Sequence, residues 1–255
     1  MKTAIVASLC ALMCVTGPAA AAQDDDWEFA EDTAQQLTVA AARYDGGQMI
    51  VAQCRRGGLT LVITGLPEGE GMLRLAATRA DGRSASQIWT TAGAPGAYRS
   101  VSPGREARFM RGGGAYVVSA AADAPTALRA TFDLPANSAN LDRVLTACGW
   151  ALEDDRDLLA EAEVLLDRPR RGREPPPYRP PAVPEREVSC IVREMRLQDC
   201  RPDHPPYAGA SNLRSVLRAV QGQEVYVPIG ADPAAAEGKV FRVIASNQLL
   251  VVVNR

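Results

Sequence analysis

Short apolar runs separated by turn residues dominate the first half of the sequence. The runs are QLTVAAARY, QMIVAQC, LTLVITGL, MLRLAAT, AYVVSAA and ALRATFDL, and glycine, proline and aspartate cluster between them. Leu73, Leu75 and Ala77 alternate with positions that include Arg74 and Thr78, as in a strand with one solvated face. Short strands at this spacing predict an antiparallel β-sandwich or barrel.

The pattern changes to helical spacing after residue 136. The apolar positions at i, i+3, i+4 and i+7 are Leu141, Val144, Leu145 and Cys148. Asn137 or Ser138 suits the helix start, and Gly149 suits the left-handed position after its end. This predicts a helix that packs on the β-rich part and turns Cys148 toward the sheet.

A second helix is predicted over residues 153–167, EDDRDLLAEAEVLLD. Its acidic first turn complements the helix macrodipole. One face collects the apolar residues Leu158, Leu159, Ala162, Leu165 and Leu166. Packing against the β-rich part is the first interpretation, and a helix that binds a partner is the alternative.

Residues 168–187, RPRRGREPPPYRPPAVPERE, contain seven prolines in twenty positions. Proline fixes φ and removes a backbone donor, so this stretch predicts an extended polyproline II linker. The resulting organisation is a signal peptide over residues 1–22, a β-rich domain over 23–167, the linker over 168–187 and a small α+β domain over 188–255.

The α+β prediction begins with a hairpin in VSCIVREMRLQDC. A three-residue turn at 194–196 places Arg193 opposite Leu197 and Cys190 opposite Cys200, close enough for a disulfide. Leu213, Val216, Leu217 and Val220 then follow helical spacing, with Ser211 or Asn212 as N-cap and Gly222 as C-cap. QEVYVPI and KVFRVIASNQLLVVVNR predict further strands, with a possible turn at Ser246-Asn247.

The chain starts with a short basic region at Lys2, an apolar run to Val15 and a small-residue site that ends at Ala22. This is the layout of a cleaved secretory signal peptide. The apolar run is shorter than the roughly 20 residues of a membrane span, so no stable anchor is expected after cleavage. The predicted location is the periplasm, with secretion to the medium as the alternative.

Four cysteines remain when Cys10 and Cys14 leave with the signal: Cys54, Cys148, Cys190 and Cys200. An even set in an oxidising compartment predicts disulfides. Four cysteines allow three pairings, and the position of the linker favours Cys54–Cys148 and Cys190–Cys200. The spacing does not fit a metal site, and His204 is the only histidine, so no metal is predicted.

Charge and motifs restrict the chemistry further. The formal charge of −2 becomes −3 without Lys2, which does not indicate a nucleic-acid partner. The sequence contains no G-x-S-x-G, H-E-x-x-H or P-loop pattern, so no catalytic residue or cofactor is predicted. His204, next to Asp203, is interpreted as a surface-loop histidine. Cation binding at Asp24-Asp25-Asp26 is the lesser alternative to a mobile N-terminus.

Two resemblances add to these predictions. Trp27, CRRGGLTLVITGL and FDLPANSANLDRVLTACGW resemble the invasion-associated locus B family and type VI secretion accessory proteins of the VasI kind, which implies a non-enzymatic envelope role for residues 26–150. The part from residue 187 resembles TonB C-terminal domains. The matching residues are Val188, Cys190, Val192, Leu197, Asp199, Cys200, Gly209, Leu213 and Leu217.

The TonB resemblance implies a fold that binds an extended peptide by adding a strand at a sheet edge. The chain departs from energy transducers, which retain a transmembrane helix at the N-terminus. The expected function is a periplasmic or secreted, non-enzymatic binding or accessory protein with an envelope protein as partner. The alternatives are a TonB-like component of a transport system and a secreted hydrolase with an unrecognised carboxylate site.

Overall fold

The computed structural model describes residues 25–69, 71–120, 127–166, 186–205, 213–245 and 250–251. These residues form two antiparallel β-sheets and three α-helices, in agreement with the predicted β-rich fold class. The signal peptide, most of the Pro-rich stretch, Gly209, Ser211, Asn212 and the predicted turn at Ser246-Asn247 lie outside the described residues.

The larger sheet has nine strands in the order β1-β2-β3-β4-β7-β6-β5-β8-β9. The strands are β1 Glu28–Asp32, β2 Leu37–Arg43, β3 Met49–Arg55, β4 Gly58–Thr64, β5 Met72–Arg79, β6 Ser84–Thr91, β7 Tyr98–Ser100, β8 Gly114–Ala120 and β9 Arg129–Leu134. Two helices follow β7 and β9, α1 Pro103–Phe109 and α2 Ala139–Ala147.

The large sheet curls around one hydrophobic core, which we call the first core, so that its two ends approach each other. The first core takes buried side chains from β2 to β9, including Ile50, Leu75 and Phe132. The ring of Tyr44, just after β2, lies 5.1 Å from the ring of Phe132 on β9. The side chain of Asn140 donates to the carbonyl oxygen of Trp27 at 2.7 Å, which joins α2 to the chain before β1.

The alternating pattern located most of these strands correctly. Leu73, Leu75 and Ala77 of β5 are buried as predicted. The sequence prediction lacked β1, β6, β7 and α1. The start of α1 at Pro103-Gly104 has the composition of a turn, but proline is also favoured in the first turn of a helix. Gly104 is required there because a Cβ atom would lie 2.1 Å from the Trp150 ring.

The predicted helix after residue 136 is confirmed as α2, and its apolar face enters the first core. Leu141, Val144 and Leu145 are fully buried. The disulfide Cys54–Cys148 joins the end of α2 to β3, with a Cα–Cα distance of 5.5 Å. The predicted pairing therefore fastens α2 across the sheet.

The turn between β3 and β4 offers a test of backbone conformation. Arg56 and Gly57 both have positive φ, 52° and 77°, which is the geometry of a type I′ turn. Arg56→Asn creates the preferred Asn-Gly pair and relieves part of the roughly 1 to 2 kcal/mol that the left-handed conformation costs a residue, so we expect it to raise the free energy of unfolding by about 0.5 to 1 kcal/mol. Urea denaturation measures this change. Arg55→Asn, an exposed substitution on the strand, is the control, and equal effects of the two would contradict the explanation.

The smaller sheet has four strands in the order β11-β10-β12-β13. These are β10 Arg186–Arg193, β11 Arg196–Pro202, β12 Val240–Ala245 and β13 Leu250–Val251, and α3 Leu213–Val220 packs near β11. Val188, Cys190, Val192 and Leu197 lie in a separate hydrophobic cluster, which we call the second core.

The β10–β11 hairpin contains the predicted disulfide but not the predicted turn. The turn has two residues, Glu194 and Met195, both with positive φ, so Arg193 faces Arg196 and not Leu197. The register shifts by one residue between Ser189 and Ile191, opposite the positive-φ residue Asp199. This bulge brings Cys190 and Cys200 together with a Cα–Cα distance of 4.1 Å.

The predicted helix over residues 153–167 is wrong. The chain makes one 3₁₀ turn at Asp155–Leu158 and is then extended over residues 160–166, which we call the bridging segment. Leu158 and Leu159, assigned to the buried helix face, are 86% and 39% exposed. The side chains of the bridging segment alternate between buried and more exposed, the period of a strand.

The bridging segment packs in the second core, although it precedes the Pro-rich stretch. Together with residues 224–226 it closes β10, β11 and β12 into a ring of backbone contacts. The three closing bridges are Arg196–Glu224, Leu165–Tyr226 and Glu161–Val240. QEVYVPI therefore contributes two isolated bridges to this ring in place of the predicted strand. The predicted domain boundaries stay predictions.

Candidate functional site: a buried ionic seam

Charged side chains that are mostly buried lie between α1, which follows β7 of the larger sheet, and the strands of the smaller sheet. We call this group the ionic seam. Its members are Arg105, Arg108, Arg156, Asp157, Glu161, Asp203 and Arg242. Ion pairs buried to this extent strongly constrain how the elements that carry them are positioned, because an unpaired charge in the interior is costly.

Arg242 on β12 is the centre of the ionic seam. Its side chain is 5% exposed. The guanidinium donates from Nε to Asp203 Oδ2 at 3.3 Å and from a terminal nitrogen to Glu161 Oε1 at 3.1 Å. The other terminal nitrogen donates to the carbonyl oxygen of Arg156 at 3.1 Å and lies 3.7 Å from Asp157. One buried cation thus pairs with three carboxylates from two separate parts of the chain.

Arg156 fastens the 3₁₀ turn to the β10–β11 hairpin. Its guanidinium donates to the Oγ of Ser189 at 2.7 Å and also to the carbonyl oxygens of Ser189 and Asp199. The Ser189 hydroxyl in turn donates to Asp203. Burial lowers the pKa of the Arg156 guanidinium from its usual value. The hydrogen bonds satisfy backbone carbonyls at the bulge, where regular sheet pairing is interrupted.

Arg105 and Arg108 on α1 extend the ionic seam to the larger sheet. Arg105 pairs with Glu161 and donates to the carbonyl oxygen of Ser86 at 3.0 Å. Arg108 holds Asp157 through two bonds of 2.5 and 3.1 Å. The Arg108 guanidinium also lies 5.7 Å from the centre of the Trp150 ring. Asp157 and Glu161 therefore contact arginines of α1 on one side and Arg242 of β12 on the other.

Asp203 is a member of the ionic seam whose pKa is raised by burial. Desolvation, and then the negative charge of Glu187, raise the pKa of its carboxyl to about 6, against the opposing effects of Arg242 and Ser189. The ordinary value of an aspartate is about 3.9. At a pH between these two pKa values, the Asp203 carboxyl keeps its proton in the folded protein and loses it in the unfolded chain.

This difference predicts that Asp203 lowers the stability of the protein as the pH rises from 4 through 6. Below both pKa values the carboxyl is protonated in the folded and the unfolded state, so it does not affect stability. Above both values the ionised carboxylate destabilises the folded state by about 2 to 3 kcal/mol for a shift of this size. Asp203→Asn cannot ionise, so its stability relative to the wild type should rise across this interval. Urea denaturation at pH 4, 5, 6 and 7 measures the difference.

The matched control for that series is Asp45→Asn, on an exposed turn of the larger sheet. Its stability should run parallel to that of the wild type at every pH. A constant difference between Asp203→Asn and the wild type from pH 4 to 7 would show that Asp203 is not the titrating group.

The other predicted site residues have clear positions. His204 Nδ1 lies 3.1 Å from the carbonyl oxygen of Pro205, while the neighbouring Asp203 carboxyl points into the ionic seam. Asp26 accepts hydrogen bonds from the backbone nitrogens of Trp27 at 2.7 Å and Asn140 at 3.2 Å. It thus caps the start of α2, while Asp24 lies outside the described residues.

Two open grooves of about 500 Å³ lie on the larger sheet, beside α2. One is lined by Phe29, Thr38 and Arg143, among others, and the second by Arg83, Arg108 and Arg111. The arginines of the second groove are all paired, with Asp81, Asp157 and Asp142 respectively. Among the described residues, the side chains that bind metals form no cluster suited to a metal ion.

The sequence prediction missed the ionic seam because its members are far apart in the chain and share no motif. Arg105 and Arg242 are separated by more than half of the sequence. The acidic run at 153–157 was the one visible signal, and the helix macrodipole offered a local explanation for it. In the structure, Asp154 and Asp155 pair with Arg201, and Asp157 pairs with Arg108.

In the part of the chain that the structure covers, the helices are too short, or too polar, to span a bilayer. The two disulfides are compatible with a secreted or periplasmic protein. Comparisons of this chain with family models, with curated proteins and with solved structures find no match.

Proposed function

We propose that this protein is a secreted or periplasmic, non-enzymatic binding protein of the bacterial envelope. In this proposal it binds an extended segment of a partner protein as an added strand on the smaller sheet. Strand addition gives affinity through backbone hydrogen bonds and specificity through alternate side chains. The partner is an envelope or periplasmic protein.

One observation carries the proposal. An extended segment from outside the smaller sheet forms a parallel β-bridge with Val240, the first residue of β12, on the side opposite β10. The backbone nitrogen of Ala162 donates to the carbonyl oxygen of Val240 at 2.8 Å, and the nitrogen of Val240 donates to the carbonyl oxygen of Ala160 at 3.0 Å. The start of β12, before its pairing with β13 at Ile244 and Ala245, therefore has the geometry required to accept an extended chain.

Two further features support the location and the class of protein. The predicted signal peptide and the two disulfides agree with an oxidising compartment. The carboxylates of the ionic seam are engaged by arginines and a serine, which favours a role in holding structure over acid–base chemistry. The resemblances to TonB C-terminal domains and to invasion-associated locus B proteins remain hypotheses, as do a transport role and a hydrolase with a carboxylate site.

The test is site-specific photo-crosslinking with the full-length, oxidised protein in an envelope extract. One variant carries a photoreactive residue in place of Glu224, an exposed position on the stretch that bonds to the bridging segment, and the control carries it in place of Asp45 on the larger sheet. We expect a partner that crosslinks only from position 224, through residues of one extended segment. The identified partner is then purified, and its binding to the wild type is measured.

Equal crosslinking from both positions would contradict strand addition on the smaller sheet. A purified partner that does not bind the wild-type protein in solution would contradict the binding function itself.

A further inference from the structure

We infer that the slot now filled by residues 160–166 is itself the site for the partner's strand. The ligand class is an extended peptide with an acidic residue, followed by small, β-branched and leucine side chains at alternate positions. The bridging segment is then an intramolecular competitor for this site. This inference rests on the proposed function and specifies where the partner binds and which peptide it presents.

The slot has backbone partners on both of its sides. On one side Ala160 and Ala162 bond to Val240 of β12. On the other side the nitrogen of Leu165 donates to the carbonyl oxygen of Tyr226 at 2.7 Å, and the nitrogen of Tyr226 donates back at 2.8 Å. The bridging segment is thus held at both edges, as a peptide ligand is held in a groove. Any extended chain of similar shape can make the same four backbone hydrogen bonds.

The floor of the slot selects side chains at alternate positions. Ala162, Val164 and Leu166 are 5%, 3% and 9% exposed and lie in the second core. Glu163, between them, is exposed. The groove therefore prefers a small, a branched and a long aliphatic side chain in this order, and tolerates any residue at the position of Glu163.

Charge specifies one further position. The carboxylate of Glu161 pairs with Arg242 on the groove wall and with Arg105 from α1. A partner peptide with an acidic residue there satisfies both arginines, whereas a neutral or basic residue removes a carboxylate from Arg105 and one of three carboxylates from Arg242. Through Arg105, α1 also contacts the chain that occupies the slot.

The bridging segment is suited to exchange. Its backbone bonds are the four described above, whereas β2 and β3 pair along seven consecutive residues. Local openings concentrate where few backbone bonds hold a segment. An incoming strand with the same pattern of side chains also replaces the contacts that Ala162, Val164 and Leu166 make in the second core. A partner strand can therefore enter the slot without disrupting β10, β11 or β12.

The experiment uses the full-length protein and a fluorescent peptide with the sequence of residues 160–167, AEAEVLLD. Val164→Asp places a charge in the second core and should expel the bridging segment. Glu163→Lys alters the exposed neighbour and is the matched control. Because the intramolecular competitor is removed, fluorescence anisotropy should show at least about ten-fold tighter peptide binding to Val164→Asp than to the wild type or Glu163→Lys.

A second measurement on the wild-type protein keeps the test informative if Val164→Asp does not fold. With excess unlabelled peptide, hydrogen exchange should accelerate at the amides of Ala162 and Leu165, which leave the slot. The amides of Val240 and Tyr226 should stay protected, because the incoming peptide replaces their partners. A peptide with lysine at the position of Val164 should cause no change.

Two results would overturn the inference. One is a folded Val164→Asp protein that binds the peptide no better than the wild type. The other is unchanged exchange at Ala162 and Leu165 under excess peptide. If the envelope partner still crosslinks at position 224 in either case, the proposed function stands and only the slot is wrong. Peptide binding in the slot without any envelope partner would instead contradict the function.

Discussion

Replacing Arg242 by methionine should lower the free energy of unfolding by about 3 to 5 kcal/mol, since removing one partner from a buried ion pair leaves uncompensated charge in the interior. The Arg242 side chain is 5% exposed and contacts Asp203, Glu161 and Asp157. Methionine has a similar length and no charge, so the main loss is electrostatic. Urea denaturation monitored by circular dichroism measures the change.

The matched control is Arg43→Met. Arg43 pairs with Glu28 at 2.9 Å, but both side chains are more than half exposed. Exposed pairs of this kind contribute about 0 to 1 kcal/mol. Similar losses for Arg43→Met and Arg242→Met would show that burial does not control the strength of the ionic seam.

A double variant separates charge from packing. The Arg242→Met substitution leaves the carboxylate of Asp203 without its arginine. Adding Asp203→Asn removes that carboxylate. We expect the double variant to be more stable than the sum of the two single effects predicts, with a coupling of about 0.5 to 3 kcal/mol. Strict additivity would contradict a direct interaction between these two side chains.

Removal of the disulfide Cys54–Cys148 is the second large effect that we expect. The bond closes a loop with a sequence separation of 94 residues, and the chain-entropy relation gives about 4.7 kcal/mol for a loop of about 100 residues. Cys54→Ala together with Cys148→Ala should therefore lower the free energy of unfolding by about 4 to 5 kcal/mol. Both cysteines are buried, and paired alanines avoid a free thiol.

The second disulfide provides an internal comparison. Cys190–Cys200 has a sequence separation of 10, for which the same relation gives about 3 kcal/mol. The double alanine variant of this pair should lose less stability than the first. The opposite order, measured by urea denaturation under identical conditions, would contradict loop closure as the source of the stabilisation.

Local patterns allowed much of the fold to be predicted. Six of the strand-like runs coincide with strands of the larger sheet, and the spacing of Leu141, Val144 and Leu145 located α2. The disulfide pairing also followed from sequence. The strands, α2 and the hairpin cysteines depend on alternation, helical periodicity or a short turn, which are properties of neighbouring residues. The Cys54–Cys148 pair followed instead from the position of the linker.

The errors arose where long-range contacts outweighed local preference. Alanine, leucine and glutamate in residues 153–167 favour a helix, yet backbone bonds to Val240 and Tyr226 hold the second part extended. In the hairpin, the cysteine spacing suggested a three-residue turn. The protein combines a two-residue turn with a bulge at the same total offset.

The sequence by itself determined the β-rich class of the fold, the position of α2 and both disulfides, because side-chain periodicity is a local property and the Pro-rich stretch divides the four cysteines into two pairs. Only the tertiary structure decided that residues 160–166 form a strand in the second core and that Arg105, Glu161, Asp203 and Arg242 meet in one ionic seam. These contacts join distant residues whose pairing lowers the free energy only once both sheets have formed.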